Sequence, residues 1–494
     1  MERLHLVPYP EKVKLTGGYC QPGAKITTCE KELQKKEAYV IKITEDEIRI
    51  EGDKAGIFYA NCTLKQLRMQ FKDVMPCMEI DDAPRFAYRG FMLDSSRHFL
   101  PKDDVKKIID IISLFKINKL HWHLIDDQGF RVEISAYPKL TEVGAKRGRS
   151  HFGLVDEYKN NSGYFTKEDI REIVTYAKEH MIDIIPEIEI PGHESAMLAA
   201  YPEIGCQNEP VSVVTTGGIF DNLICAGKEE SFTFVTHILD ELAELFPYEM
   251  IHIGGDEACK RKWRRCPDCQ KKIKELGLLD ENALQQWFVI KVQEYLKKKG
   301  KKVIVWNDSL RGEKLPTDFV VQMWMGDKEL ITDFVKRGGK IIQSSTESFY
   351  LDYPYAMWDV HKILDYEICP EYLENENAII GVECPLWTER VSDLDRVFYL
   401  ILPRLPAMAE CGWTVKGARN AADFDDRYLT IDSYLKSDGI CGAPETYWNI
   451  SEELAEKDME EHRRAMYTPE NTAEFEKQEK MMEEERAIYG DERY

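Results

Sequence analysis

Eight short runs of apolar, largely β-branched residues between positions 88 and 382 constrain the fold of this chain more than any other feature. Between several of them lie longer stretches with apolar residues on one helical face, at 102–116, 167–180, 230–245 and 281–299. Strands that alternate with helices indicate a parallel sheet. The runs occupy residues 88–93, 119–124, 182–188, 249–254, 302–306, 318–323, 339–343 and 379–382.

Eight strands are the number that a (β/α)8 TIM barrel requires, and we predict that α/β fold for residues 85–415. The segment between 306 and 318 is too short for a full helix, which leaves an open α/β sheet as the alternative. Upstream, residues 39–50 predict two short strands and 56–69 a helix, so we expect a small α+β domain over 1–84. Residues 416–494 lack strand patterning and predict a helical extension packed on the barrel.

Composition limits the partners and the compartment. The chain has 66 Lys and Arg against 88 Asp and Glu, and its net charge of −22 disfavours nucleic acid and anionic membranes. No run of about 18 apolar residues predicts a membrane span. The amino-terminal residues do not resemble a secretory signal, and 13 cysteines without paired spacing are typical of reduced thiols. We therefore expect a cytoplasmic protein. The sequence gives no prediction of its oligomeric state.

Polar and aromatic residues follow the eight runs, where the carboxyl ends of barrel strands form the active face of such folds. Carboxylates, one arginine, one tyrosine and several tryptophans are typical of a sugar site, since aromatic faces stack on pyranoses and charged groups bind their hydroxyls. These residues are Arg97, Asp126, Asp127, Glu189, His193, Asp256, Glu257, Trp306, Trp324, Tyr350, Asp352, Trp387 and Glu389.

The segment His252-Ile253-Gly254-Gly255-Asp256-Glu257 contains two adjacent carboxylates after the fourth run. On an extended chain such neighbours point to different sides, so they are poorly placed to face each other across a scissile bond. We therefore expect them to divide the work. Burial near tryptophan would fit Glu257 to donate a proton, while Asp256 would stay ionised and stabilise positive charge.

Seven separated sequence blocks resemble glycoside hydrolase family 20, the β-N-acetylhexosaminidases. The resemblance covers about residues 85–415. The blocks are RGFMLDSSRHF at 89–99, NKLHWHLIDD at 118–127, IPEIEIPGH at 185–193, HIGGDEA at 252–258, WND at 306–308, YLD at 350–352 and GVECPLWTE at 381–389.

The resemblance implies exo-acting, retaining hydrolysis of terminal β-linked N-acetylglucosamine or N-acetylgalactosamine, in which the substrate's own 2-acetamido oxygen attacks and forms an oxazolinium-like intermediate. It implies no metal and no organic cofactor. Glu257 would be the acid and base, Asp256 would orient the acetamido N–H, and Tyr350 would bond its carbonyl.

The resemblance also implies a binding role for further residues. Trp306, Trp324 and Trp387 would wall the pocket, while Arg97, Asp352 and Glu389 would hold the outer hydroxyls. Asp126, Glu189 and His193 would support the acid, with Glu189 acting through His193, and Trp358 would lie near the leaving group.

Other interpretations of the same residues stay open at this point. Arg97 could be a structural partner of Asp94 or Asp126, and Asp126 and Glu189 could be purely structural. His121 and His123, with His193 and His252, could begin the metal site of a metal-dependent barrel hydrolase. A catalytically silent sugar-binding barrel is a further alternative, against which intact Asp256, Glu257 and Tyr350 argue. Cys259, Cys266 and Cys269 suggest a zinc knuckle, but a closed zinc site needs four ligands and this trio supplies three.

Overall fold

The computed structural model describes residues 3–152, 155–157, 161–467 and 469–489. Its amino-terminal part is a five-stranded sheet covered by the helix Lys54–Phe71. Asp53 begins this helix, because its side chain accepts a hydrogen bond from the backbone N–H of Gly56. In spatial order the strands are Lys12–Tyr19, Pro76–Asp82, Tyr39–Ile43, Glu47–Gly52 and Lys25–Glu30.

Eight parallel strands then form a closed barrel, which confirms the predicted fold and excludes the open sheet. Each predicted run overlaps one barrel strand, and the last strand, Ile379–Leu386, extends beyond its run. The last strand pairs with the first, from Gly381 beside Tyr88 to Leu386 beside Leu93, and closes the barrel. Numbered in chain order, the barrel strands are β1 (Tyr88–Asp94), β2 (Lys119–His123), β3 (Asp183–Glu187), β4 (Met250–His252), β5 (Lys302–Trp306), β6 (Val320–Met323), β7 (Lys340–Gln343) and β8 (Ile379–Leu386).

Helices surround the barrel, and the four that the sequence predicts are present within two residues of their expected ends. The short connection between β5 and β6 contains the single 3-10 turn Asn307–Leu310, which is enough to bring the chain back without a full helix. The barrel helices are Lys102–Leu114, Lys139–Glu142, Lys167–Glu179, Ser195–Ala200, Glu229–Leu245, Pro267–Leu276, Glu281–Lys298, Lys328–Lys336, Val360–Asp365, Leu394–Ile401 and Arg404–Trp413.

Two short hairpins lie in the loops, and three helices form the tail. Two small hairpins join Ile125–Asp126 with Gly129–Phe130 and Ser150–Phe152 with Val155–Glu157. The tail consists of the helices Ala421–Ser437, Glu452–Met466 and Pro469–Tyr489.

The predicted domain limits at residues 1 and 494 lie outside the described residues. Within the described ranges, every helix is too short or too polar to cross a membrane.

A buried cluster of polar groups joins the amino-terminal domain to the barrel. Asp82 is the last residue of the strand Pro76–Asp82. Its carboxylate lies 3.0 Å from Nζ of Lys116 and accepts a hydrogen bond from the indole N–H of Trp413 at 2.9 Å. Trp413 packs at the same time in the apolar core of the sheet. Asp82 and Lys116 therefore anchor the two layers through a charge pair that is closed to water.

A second buried cluster ties the chain's start to its carboxyl-terminal helices. The guanidinium of Arg427 donates to both carboxylate oxygens of Glu410 over 2.8 and 2.7 Å, to Asp423 and to the carbonyl of Leu6. Arg427 and Glu410 are fully buried. Removing one partner of such a pair lowers the free energy of unfolding strongly, because the remaining buried charge cannot be solvated.

Replacing Arg427 by Met should lower the free energy of unfolding by about 3–5 kcal/mol, because Glu410 would keep a buried charge without its bidentate partner. Urea denaturation followed by circular dichroism measures the change. Arg464→Met is the control, since Arg464 pairs with Glu460 on an exposed helix face and should leave the urea midpoint unchanged. Equal midpoints for the two variants would contradict this prediction.

Candidate active site

A cavity of about 260 Å³ opens at the carboxyl ends of the barrel strands. Ten of the residues selected from the sequence line it, which brings segments from 97 to 389 around one space. They are Arg97, Asp126, His193, Asp256, Glu257, Trp324, Tyr350, Asp352, Trp387 and Glu389.

The acidic pair lies in a tight loop after β4. Gly254 has φ +62°, and a Cβ there would lie 1.8 Å from Oε2 of Glu189, so only glycine fits. Glu257 itself has φ +46°, in the left-handed region that non-glycine residues rarely adopt. The expectation of an extended chain here is wrong, and the turn brings both carboxylates to the same cavity.

His193 connects the two acids with a second pair of carboxylates. Its Nε2 lies 3.6 Å from Glu257 and 3.9 Å from Asp256, while its Nδ1 lies 3.1 Å from Asp127 and 3.3 Å from Asp126. Burial favours the neutral ring, yet Asp126 and Asp127 raise the pKa of His193 well above its usual value. The side chain is therefore a buried cation between four carboxylates.

The predicted relay from Glu189 through His193 is wrong. In the part of the chain that the structure describes, Glu189 makes no hydrogen bond to His193, and its Oε2 accepts instead from the N–H of Gly255 at 3.3 Å. Asp127 takes the relay position, with its other oxygen held by the N–H of Ser195 at 2.9 Å. Burial and the charge of Asp256 raise the pKa of Glu189 well above its usual value, which favours its protonated form.

Burial tunes the two acids of the loop to neighbouring pKa values. It raises the pKa of Glu257 to about 7 and that of Asp256 to about 6, in both cases against the opposing charge of His193. Near neutral pH, Glu257 can therefore carry a proton while Asp256 is largely ionised. This is the division of roles that the sequence predicted for them.

Arg97 is both an ion-pair partner of Asp126 and a residue of the cavity wall, so the structural and the binding interpretations both apply. Its Nη2 lies 2.8 Å from Asp126, its Nε donates to Gln128 at 2.9 Å, and its guanidinium lies 4.9 Å from the ring centre of Trp387. Burial opposes ionisation of Arg97, but Asp126 and Asp94 raise its pKa above the usual value. A permanent cation is thus fixed at the cavity wall, ready to bind hydroxyl oxygens.

Two more carboxylates lie near Arg97. Asp352 and Glu389 both line the cavity. Burial and then the charge of Glu389 raise the pKa of Asp352 to about 7. This side of the cavity therefore offers a protonatable acid, a carboxylate and a guanidinium, which together can accept and donate several hydrogen bonds to one ligand.

Aromatic rings form the remaining wall. The ring centre of Tyr350 lies 6.4 Å from those of both Trp324 and Trp387, and the Trp324 ring is nearly parallel to it. The indole N–H of Trp324 donates to Asp308 at 2.8 Å, which fixes the ring. Burial raises the pKa of Tyr350 well above 10, so its hydroxyl remains a hydrogen-bond donor.

Two predicted tryptophans do not line the cavity. Trp306 lies behind Trp387, with ring centres 6.2 Å apart, and its indole N–H donates to Glu187 inside the barrel at 2.8 Å. Trp358 is absent from the cavity wall and contacts the scaffold, where its carbonyl accepts from Arg404 at 3.4 Å. The expectation that Trp306 would wall the pocket is therefore wrong, because its ring packs behind Trp387, whereas the place of Trp358 near the leaving group stays a prediction.

The sequence also missed several residues of the cavity wall. Tyr353 and Arg390 lie next to predicted residues, and Phe152 comes from a hairpin. Met466 and Phe475 come from the tail, which was expected to pack on the barrel but not to reach the cavity. Their neighbour Gln478 contacts the loop at Gly217, while Glu485 accepts from the N–H of Lys260, three residues after Glu257. Nothing in the tail's charge pattern indicated this position.

The histidines of the barrel interior are paired with carboxylates. Both ring nitrogens of His121 lie within 3.0 Å of Glu383 or Glu187, and those of His123 lie within 2.9 Å of Glu187 or Asp126. Burial opposes protonation, but these carboxylates raise the pKa of His121 to about 10 and that of His123 to about 9. Each ring is thus held between carboxyl side chains inside the barrel, and neither histidine is among the residues that line the cavity.

Known proteins share this architecture. The model of "Glycosyl hydrolase family 20, catalytic domain" matches residues 86–416, and that of "Glycosyl hydrolase family 20, domain 2" matches residues 8–83. The crystal structure of a family 20 exo β-N-acetylglucosaminidase from Vibrio harveyi, in complex with N-acetylglucosamine, superposes with a TM-score of 0.80 at 28% identity. It covers 89% of this chain and 78% of that one.

Curated relatives agree with the family models. A beta-hexosaminidase of Porphyromonas gingivalis is 38% identical over 82% of this chain, which spans only 54% of that relative's length. A beta-hexosaminidase of Akkermansia muciniphila is 33% identical over 85% of this chain and 88% of its own length. The resemblance seen in the sequence blocks is thereby confirmed, and the chain belongs to glycosyl hydrolase family 20.

Proposed function

We propose that this protein is an exo-acting β-N-acetylhexosaminidase that removes a terminal, non-reducing, β-linked N-acetylglucosamine or N-acetylgalactosamine from glycans. The mechanism that we propose is retaining and assisted by the 2-acetamido group of the substrate. The complex of the Vibrio harveyi relative with N-acetylglucosamine supports the choice of sugar. The 13 unbridged cysteines support our further proposal of a cytoplasmic location.

One observation carries the mechanism: Asp256 and Glu257 are adjacent and lie within 4 Å of the same His193 nitrogen. An ordinary retaining glycosidase places its two carboxyls on either side of the scissile bond, about 5–5.5 Å apart. Neighbours on one loop that both face His193 approach a bound sugar from the same wall of the cavity, which disfavours a pair on opposite sides of the bond. The attacking oxygen can come instead from the acetamido group of the sugar.

In this mechanism Glu257 donates its proton to the glycosidic oxygen and later takes one from the attacking water. Asp256 accepts a hydrogen bond from the acetamido N–H and stabilises the positive charge that develops as the acetamido oxygen attacks. Tyr350 donates to that oxygen and holds it below the anomeric carbon. The aromatic wall fits the methyl group and the apolar sugar face.

Exo action follows from the charged side of the cavity. Arg97, Asp352 and Glu389 would bind the hydroxyls at the non-reducing end, and their side chains would leave no room for a further sugar there. The other end of the substrate would leave past Met466 and Phe475 of the tail, which line the same cavity.

A Glu257→Gln variant should lose about 10²–10⁴-fold in kcat/KM on 4-methylumbelliferyl N-acetyl-β-glucosaminide, because the amide cannot protonate the leaving oxygen. With a 2,4-dinitrophenyl leaving group, which needs no proton, the loss in kcat/KM should be much smaller. Equal losses on the two substrates would contradict the role of Glu257 as acid.

An Asp256→Asn variant should lose about 10²–10³-fold in kcat/KM on the N-acetylglucosaminide, since the charge opposite the developing oxazolinium ion is removed. Its weak activity on the matching β-glucoside, which lacks the acetamido group, should change far less. Steady-state kinetics on the two aryl glycosides measure the ratio. An unchanged preference would contradict assistance by the acetamido group.

The pH profile of kcat/KM should be bell-shaped. The rate falls as pH rises above about 7, where Glu257 loses the proton it must donate, and falls as pH drops below about 6, where Asp256 becomes protonated. The two limbs belong to the coupled pair rather than to either residue alone. In Glu257→Gln the alkaline limb should disappear while the acid limb stays, and persistence of the alkaline limb would overturn the assignment.

Asp127→Asn separates the two relay hypotheses. The variant should lower kcat about 10–100-fold, because His193 loses the partner of its Nδ1. A less protonated His193 favours ionisation of Glu257 less strongly, so the pKa of Glu257 should rise and the alkaline limb should move to higher pH. Glu189→Gln is the matched control: the carboxyl of Glu189 accepts from Gly255 rather than bonding His193, so this limb should stay in place. The reverse result would restore the relay through Glu189.

A further inference from the structure

Four cysteines that the sequence did not group together converge beside the catalytic loop. They are Cys206, Cys225, Cys266 and Cys269, and their sulfur atoms all lie within 4.8 Å of one another. Three of them are buried and Cys206 is half-buried. We propose that these cysteines bind one structural Zn²⁺ ion as a closed four-thiolate site.

The sulfur separations fit a tetrahedral zinc ion. Sγ of Cys225 lies 3.7 Å from that of Cys266 and 3.6 Å from that of Cys269, and Sγ of Cys206 lies 3.9 Å from that of Cys269. A tetrahedron with Zn–S bonds of about 2.3 Å has edges of about 3.8 Å. A disulfide requires about 2.05 Å, so the same sulfurs are too far apart to be bridged.

Local structure presents two ligands in the manner of a zinc knuckle. Cys266-Pro267-Asp268-Cys269 begins the helix Pro267–Leu276, so both cysteines lie at its first turn. A Cβ on Gly227 would lie 2.4 Å from the backbone nitrogen of Cys269, so the glycine lets the segment that carries Cys225 approach closely. The backbone N–H of Cys225 donates to Ile204, near Cys206.

The predicted trio of Cys259, Cys266 and Cys269 was therefore wrong in one member. Cys259 lies outside the four-sulfur cluster, although it is buried and only seven residues from Cys266. The two missing ligands stand 60 and 41 residues before Cys266, in a different loop. Spacing alone cannot reveal ligands that only the barrel brings together.

The ligand set indicates a structural rather than a catalytic metal. Four thiolates fill the coordination of zinc and leave no position for water or substrate. Binding displaces the thiol protons and leaves the site with a formal charge of −2, from four thiolates and one Zn²⁺. All-sulfur tetrahedral sites also suit iron, which the metal analysis below distinguishes.

The metal would fix two loops of the active site relative to each other. One loop follows β3 and carries His193, and the other follows β4 and carries Asp256 and Glu257. Ile224 already bridges them: its N–H donates to Pro191 at 3.2 Å and its carbonyl accepts from the indole of Trp263 at 3.0 Å. A zinc ion next to this bridge would hold the contact between His193 and Glu257 in place.

Metal analysis of the full chain tests the zinc proposal. The result does not depend on which sugar the enzyme hydrolyses. Protein purified without a metal-affinity resin and without chelator should contain about one zinc per chain by plasma mass spectrometry. Titration with a mercurial reagent that displaces thiolate ligands should release the same amount to a zinc-binding dye. Absence of metal, or iron in place of zinc, would overturn the proposal.

Variants locate the site. Cys266→Ser and Cys269→Ser should each lose most of the zinc and melt at a lower temperature, because the ion stabilises only the folded state. Cys259→Ser, a buried cysteine of the same loop, is the matched control and should keep its zinc. Replacing zinc by Co²⁺ in the unaltered chain should give the visible bands of a tetrahedral cobalt thiolate, and their absence would also overturn the proposal.

Discussion

The buried His193 cation is the interaction on which the rest of the site depends. It lies between Asp126 and Asp127 on one side and Asp256 and Glu257 on the other. Four ionised carboxylates around one side chain would repel one another strongly. A single fixed imidazolium, together with Arg97 on Asp126, compensates enough of that charge to let Asp126 stay ionised, while burial keeps a proton on Glu257 near pH 7.

The scaffold makes this arrangement possible through a polar layer beneath it. Glu187 at the end of β3 contacts His121, His123 and His252 and accepts from Trp306. These groups satisfy one another inside the barrel, where unpaired charges would be costly. Trp306 belongs to this layer and supports the Trp387 ring from behind, so a residue that does not line the cavity still shapes its aromatic wall.

How much the sequence could predict depends on the range of the interaction. The eight barrel strands follow from local apolar periodicity, and the position of a residue at a strand's carboxyl end was enough to bring Arg97, Tyr350 and Glu389 to one cavity. Whether Asp127 or Glu189 contacts His193 depends on the turn at Gly254 and on side-chain direction, which no local pattern encodes. Phe475 reaches the cavity only because the tail helix packs on the barrel.

The same reasoning explains why the loops need more than barrel packing. The contact between His193 and Glu257 joins residues 64 positions apart in loops that extend beyond the ends of β3 and β4. A barrel fixes strand ends well, but loops are less constrained by its core. Here Glu485 of the tail holds Lys260 on the outer side of the acidic loop, and the four-cysteine cluster holds its distal end at Cys266. These two clamps, at Lys260 and Cys266 downstream of Glu257, would keep the distance from Glu257 to His193 constant, and with it the pKa that makes Glu257 an acid near pH 7.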